Sequence, residues 1–358
     1  MHTDLMETPH GLDVERFAER VMAAALGTFE MYALYLGDSL GWYRALAEHG
    51  PLTSAELAGR TGSAERYARE WLEQQAASGW LVHSGERYEL PAAHAEVLTD
   101  PDSLAFLAPM ARFLAAAGAR LDSAAQAYRT GGGVSWAEFG AGAREGQAGL
   151  NRPLFLHRLT QDVLPGIPGL DAVLRAGARV ADIGCGEGWS SVGIALGYPA
   201  VTVDGYDLDA PSVAAATRHA TGASVADRVR FSCTDAASLA PGSYDVVFAF
   251  ECVHDLSQPV PVLAAMRSLV RPHGYVIVMD ELTQDQFTAP AGPWERLLYG
   301  FSLTNCLLDG MSRQPSAGTG AVMRPATLTR YAADAGFART EILPSPADIP
   351  FRFYRLYP

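Results

Sequence analysis

The sequence predicts an α/β fold: a parallel sheet with helices on both faces, behind a mostly helical front. Two observations predict it. From Ala178 onward, short apolar runs alternate with helical segments: "RVADIG", "SSVGIALGY", "TVDGYDLD", "APSVAAATRHA", "VRFSC", "YDVVFAF", "VPVLAAMRSLV", "GYVIVMDE". That succession is the βαβ pattern of a doubly wound sheet. Upstream, apolar residues recur at three- and four-residue spacing, which is the helical period. The 358 residues, 49% of them hydrophobic, suffice for about two domains with real cores.

The front justifies itself element by element. Residues 12 to 50 read as helices until Gly50-Pro51 breaks the pattern. "LTSAELAGRTG" gives a short helix in which Glu56 completes a capping box on Thr53. "SAERYAREWLEQQAASGW" gives a second helix capped by Ser63, and "LVHSGERYEL" two short strands about a Ser-Gly turn. Helix, turn, helix and hairpin make a winged-helix pattern over residues 1–100. DNA binding is its sharp reading and a packing or dimerisation module its bland one. From Pro51 to Asp100 four arginines face eight acids, the reverse of a DNA reader's balance, so the bland reading is preferred.

Residues 101–175 read as a helical linker that also lines a pocket, interrupted by "TGGGVSWAEFGAG". That loop carries Trp136 and Phe139 among glycines, and is either a lid over a pocket or a plain connection. The third part, residues 176–358, holds the sheet, a helical insert at about 285–325, and the tail "PATLTRYAADAGF", "RTEILPSP", "FRFYRLYP", which adds a helix and two closing strands.

Charge and composition exclude several classes. The formal net charge of −13 repels phosphate backbones, so nucleic acid is not an expected partner. The chain has no lysine, which removes a P-loop. No apolar run reaches the roughly 18 residues of a membrane span, and "MHTDLMETPHGLDVERF" lacks a basic-then-apolar signal pattern. Cys185, Cys233, Cys252 and Cys306 are scattered, without a C-x-x-C pair or zinc spacing. A reducing cytoplasm and no metal are the expectations.

The strand "RVADIG" runs into Gly184-Cys185-Gly186-Glu187-Gly188. A dinucleotide site would want its third glycine where Trp189 stands, and that bulk would hinder close helix–strand packing. The D-x-G-x-G-x-G turn suits an adenosyl ligand without phosphates. Asp182 can order the turn or meet an ammonium. Asp207, ending the second strand, can accept from both ribose hydroxyls, with Asp209 as competitor or helix cap. Asp235 is placed to accept from an adenine amino group.

The ordered set "ADIGCGEG", "GYDLD", "TDAAS", "YDVVFAFECVHDL" and "LVRPHGYVIVMDE" resembles the class I S-adenosylmethionine-dependent methyltransferases, over about residues 178 to 358. With its front, the chain is similar to dimeric bacterial small-molecule O-methyltransferases. It is also similar to actinobacterial methyltransferases with a winged-helix front, a likeness carried by "GTGAVMRPATLTRYAADAGF". The resemblance implies a Rossmann-like, mostly parallel seven-stranded sheet and S-adenosylmethionine as cofactor. It implies that Asp182, Gly184, Gly186 and Gly188 form the cofactor loop, that Asp207 and Leu208 meet the ribose side, Asp235 and Ala236 the adenine, and Glu251 the methionine part. His254 matches the position of a general base and Glu281 that of the acid orienting it. Asp280 stands beside Glu281 and can trade places with it. Asp255 is then a helix N-cap before Pro259.

The insert "PWERLLYGFSLTNCLLDGMS" offers Trp294, Tyr299 and Asn305 as acceptor contacts, although Trp294, Leu297, Leu298 and Phe301 also follow helical core spacing. Trp136 is the further acceptor candidate. No [DN]-P-P-[YFW] follows the fourth strand, which disfavours nucleobase amines and glutamine amides. The expected function is methylation of a small, apolar or aromatic specialised metabolite, on oxygen by preference and on nitrogen or carbon otherwise. A cofactor-sensing winged-helix regulator is the reading of another class. A homodimer through the front is expected, because so long an apolar helical surface is rarely left bare.

Overall fold

The computed structural model describes residues 13–358, so the reading of the first twelve residues lies outside the described part. The described residues divide into two compact units, the first ending at residue 115 and taking in 145–150, the second made of residues 116–144 and 151–358. The segment expected to be one linker, 101–175, is therefore shared between the units.

In the first unit four helices, α1 (Val14–Ser39), α2 (Trp42–His49), α3 (Ser54–Thr61) and α4 (Glu65–Ala77), precede a hairpin of β1 (Val82–Ser84) and β2 (Arg87–Glu89). The capping box of Thr53 and Glu56 forms as its spacing predicts. Helix α4 departs from expectation: Ala64 is its N-cap, without a side-chain bond, while the Ser63 hydroxyl lies 3.1 Å from Trp42 Nε1. Leu46, Leu57 and Leu72 are wholly buried around Trp42 and Trp71, whose rings lie 4.9 Å apart. On α4, Arg66 pairs with Glu70 and Arg69 with Glu65. These pairs neutralise the cations a DNA-reading helix would present.

In the second unit seven strands follow in chain order: β3 (Arg179–Ile183), β4 (Thr202–Asp207), β5 (Val229–Cys233), β6 (Tyr244–Phe250), β7 (Val270–Glu281), β8 (Arg339–Leu343) and β9 (Phe351–Tyr357). The spatial order is β5-β4-β3-β6-β7-β9-β8, parallel through β7, with β9 antiparallel to both neighbours. The central strands read as near-continuous apolar runs because both faces are covered. Val180, Phe248 and Ile277 point into one core, Ala181, Val247 and Val276 into the other. Strand order reverses between β3 and β6, so ligands are expected at the carboxyl ends there.

The glycine-bearing segment before Trp136 is not a free loop. Trp136 opens a helix, Trp136–His157, broken at Gly140 and started by a Ser135–Glu138 capping box. Phe139 is buried. Val134 N–H donates to Leu308 O at 3.0 Å, and Trp136 N–H to Asp309 Oδ1 at 2.7 Å. A Cβ at Gly133 would stand 2.1 Å from Leu308 O, so the glycine lets this segment lie directly on the insert. Among the described residues, no helix is long and apolar enough to cross a membrane.

Candidate active site

The first part of the site is the turn after β3. Asp182 is wholly buried, and its Oδ2 accepts from Ser190 Oγ and Ser191 Oγ, each at 2.6 Å. It orders the turn by tying the strand to the start of the following helix. Its other oxygen, Oδ1, is buried without a partner. Burial pushes its pKa up to about 6, against the two serine hydrogen bonds.

Three glycines follow with left-handed φ of +70° at Gly184, +51° at Gly186 and +79° at Gly188. Their reasons differ. A Cβ at Gly184 would meet Cys252 Sγ at 2.7 Å, and one at Gly188 would meet the Phe231 ring at 2.5 Å. Gly186 faces open space. Gly188 thus supplies the close helix–sheet packing. Trp189 does not obstruct it, because its ring stacks on His219 at 4.2 Å. The steric argument against a dinucleotide therefore loses its basis.

Asp207 ends β4 with Oδ2 accepting from Gly186 N–H at 2.9 Å and Oδ1 from Asp209 N–H at 2.8 Å. Each oxygen keeps a further lone pair for a diol. The neighbouring Leu208 is 54% exposed, an apolar surface beside it. Asp209 caps the next helix through Ser212 N–H and pairs with Arg144, so it is not the competitor. Asp235 is exposed, and its Oδ1 accepts from Ala237 N–H at 2.9 Å, which fixes the turn at the buried Ala236.

The second part lies at the ends of β6 and β7. Glu251 holds φ +49°, uncommon for a residue with a side chain, and its carboxylate accepts from Asn151 Nδ2. Burial raises its pKa to about 8, with the Asp280 and Asp255 charges adding and His254 opposing. His254 is buried at 3% exposure. Its Nδ1 lies 2.7 Å from Asp280 Oδ1, which also accepts from Glu281 N–H at 2.9 Å. Asp280, not Glu281, is the acid that orients the imidazole. The pleat explains it, since adjacent residues on a strand point to opposite faces. A carboxylate at Nδ1 fixes the proton there and leaves Nε2 as the lone-pair nitrogen of the neutral ring. Burial lowers the His254 pKa, but Asp255 and Asp280 outweigh it and hold it well above the ordinary value.

Asp255 is not the helix N-cap expected of it. The helix Pro259–Leu269 begins after Gln258, and Asp255 closes a short turn, Val253–Asp255, with Oδ1 3.3 Å from His254 Nε2. Over this turn folds the insert: helix Pro293–Phe301, a π-helical turn Ser302–Cys306, and Leu307–Gly310. Gly320 N–H donates to His254 O at 3.1 Å. Asn305 is 2% exposed with Nδ2 unpartnered, and Trp294 Nε1 is likewise buried without a partner. The Tyr299 hydroxyl accepts from Arg324, whose guanidinium also holds the buried Glu295. Trp136 N–H bonds the insert at Asp309, whose pKa burial raises to about 7.

Asn151, Asp309 and Cys306 were missed from sequence. Asn151 stands 100 residues from its partner Glu251, and no local spacing announces such a contact.

Residues 181–276 match the family described as a methyltransferase domain, and residues 31–100 an Rv2258c-like winged helix-turn-helix domain. A ubiquinone biosynthesis O-methyltransferase of Burkholderia pseudomallei is 30% identical over 172 residues, 46% of this chain and 67% of that protein. The chain belongs to the S-adenosylmethionine-dependent methyltransferases.

The chain spans less than half the length of several other curated relatives, 42% for a ubiquinone biosynthesis O-methyltransferase of Ralstonia nicotianae. A 27-O-demethylrifamycin SV methyltransferase of Amycolatopsis mediterranei is 36% identical over 33% of this chain and 43% of its own. The likeness in fold extends further. The mitomycin 7-O-methyltransferase MmcR superposes with a TM-score of 0.73 at 22% identity, covering 95% of this chain and 97% of that one. Human N-acetylserotonin methyltransferase gives 0.71 at 18%, covering 98% and 99%. The methyltransferase cofactor fits the residues present. Gly186 borders open space, Asp207 keeps acceptor capacity, and Leu208 offers apolar surface beside it.

Proposed function

We propose that this methyltransferase moves a methyl group from S-adenosylmethionine to an oxygen of a small, apolar or aromatic specialised metabolite. The observation that carries the reading is the buried His254–Asp280 pair at the carboxyl edge of the sheet, 2.7 Å apart. S-adenosylmethionine supplies an activated methyl on a sulfonium when bound. Gly186, Asp207, Leu208, Asp235, Ala236 and Glu251 would hold it. The chain's own work is alignment for in-line attack and removal of the hydroxyl proton. Asp280 holds Nδ1–H, so His254 Nε2 takes that proton once the ring is neutral, at pH above its raised pKa. Glu281, buried beside the pair with its Oε2 unpartnered, contributes a second acidic group there. Trp294 and Asn305 keep unpartnered donors on the insert and are the acceptor contacts of this proposal, with Trp136 and Tyr299 as its outer frame.

The names of the relatives support the choice of oxygen and of a specialised metabolite. Nitrogen or carbon acceptors remain the alternative within the same site. The proposal includes a cytoplasmic homodimer joined through the first unit, supported by the exposed apolar face of α1. The test uses methyl-deuterated S-adenosylmethionine with a metabolite extract of the source organism. A labelled small molecule whose fragments place the label on oxygen supports the reading. Label on nitrogen or carbon, or cofactor binding without product, overturns it.

A further inference from the structure

The fold joins three metal-ligating side chains that lie apart in sequence. His254 Nε2, Asp255 Oδ1 and Cys306 Sγ all lie within 4.8 Å of one another. Sequence spacing gives no sign of this set, because Cys306 arrives on the insert and not at a motif spacing. The His254–Asp255 approach is 3.3 Å, and the Cys306 thiol hydrogen-bonds both side chains, so all three donor groups converge. Two ligands at roughly 2.0–2.1 Å from a tetrahedral ion stand about 3.3 Å apart, so the distance is that of co-ligands. The other imidazole nitrogen is held by Asp280, the carboxylate–histidine arrangement that orients metal-bound imidazoles. Asp280 Oδ2 is a buried oxygen without a partner, in a residue 1% exposed. A divalent ion compensates such a buried acidic group.

We propose that His254, Asp255 and Cys306 bind one zinc-class divalent ion in a three-ligand site with an open fourth position. One imidazole, one carboxylate and one thiolate suit zinc and exclude magnesium or calcium, which take oxygen ligands. Binding releases to solvent the Cys306 thiol proton and the proton that His254 Nε2 carries below its pKa, and then uses the Nε2 lone pair. The side chain of Asp255 keeps 32% of its surface exposed, which gives the ion a route in. An occupied His254 cannot accept a proton, so the ion inhibits base-assisted methyl transfer. The binding claim itself does not rest on the function proposed above.

The test titrates cobalt(II) as the optical stand-in for zinc into the full chain, with no cofactor or acceptor present. One equivalent should bind with a thiolate-to-cobalt charge-transfer band. Cys306→Ser should abolish the band, and the exposed-thiol variant Cys233→Ser should keep it. Asp280→Asn should weaken binding about 10–100-fold. Zinc-loaded wild type should show by X-ray absorption one sulfur at about 2.3 Å and nitrogen or oxygen at about 2.0–2.1 Å. That measurement needs no variant to fold. A nitrogen/oxygen-only shell, a band that survives Cys306→Ser, or no binding overturns the proposal. Methyl transfer with loaded and unloaded enzyme then reads the inhibition separately.

Discussion

Asp280 Oδ1 accepts from both His254 Nδ1, at 2.7 Å, and the Glu281 backbone N–H, at 2.9 Å. The backbone bond fixes the carboxylate, and the carboxylate fixes the imidazole. Asp280→Asn should therefore lower kcat by at least about tenfold, part of the roughly 10²–10⁴ a general base contributes. It also removes an anion that raises the His254 pKa. The acidic limb of the pH–rate profile should then move to lower pH while the plateau falls. Glu281→Gln should leave the orientation of the ring intact. A larger loss of plateau rate in Glu281→Gln than in Asp280→Asn would reverse the assignment.

Asp182 provides a stability test. Its pKa rises from 3.8 to about 6 on burial, so the native state binds more protons than the unfolded chain between those values. Stability contributed by this group therefore falls as pH rises from about 4 to about 6 and is level above. The cost is about 3 kcal/mol. Asp182→Asn should flatten that window relative to wild type in urea midpoints measured from pH 4 to 8. Parallel curves for the two proteins would remove the linkage.

Gly186 and Gly188 carry the same backbone requirement for different reasons. Alanine at either pays about 1–2 kcal/mol for left-handed φ. Only at Gly188 does the new methyl strike Phe231 and Ala216, at 2.5 and 2.8 Å. Gly188→Ala should lower the melting temperature more. Gly186→Ala should fold better but bind S-adenosylmethionine more weakly, measured by calorimetry. The opposite ranking would place the ligand on the other side of the turn.

The sheet and the glycine turn were legible because their causes are local. Apolar runs of strand length, a strand-end acid and glycines at alternate positions are short-range signals, and the central strands β3, β6 and β7 carry the runs. The acid–imidazole pair was legible only to within one residue. Choosing between Asp280 and Glu281 requires knowing on which face of the sheet the turn after β6 places His254, and "IVMDE" is apolar on both faces until its last two residues. Ser63 and Asp255 were misplaced as caps because side chains of their type serve equally in turns and in tertiary bonds. The contacts Asn151–Glu251, Trp136–Asp309 and His254–Cys306 come from insert and helix placement, which depends on packing far along the chain.

Helix α1 supplies the last prediction. Phe17, Val21, Met22, Leu26, Phe29, Tyr32, Tyr35 and Leu36 are all exposed, and at 100° per residue they share roughly half of the circumference. Phe29 is 65% and Met22 62% exposed, values at which a monomer would leave large apolar groups in water along several turns. A second copy of this face would cover them, since a two-fold contact is self-complementary. Met22→Asp with Phe29→Asp should shift sedimentation from dimer to monomer at micromolar concentration, because each buried carboxylate would lack a partner. Arg20→Gln, on the opposite side of the helix, should leave the sedimentation coefficient unchanged. A wild type that sediments as a monomer, or a double variant that stays dimeric, would take this face out of the assembly.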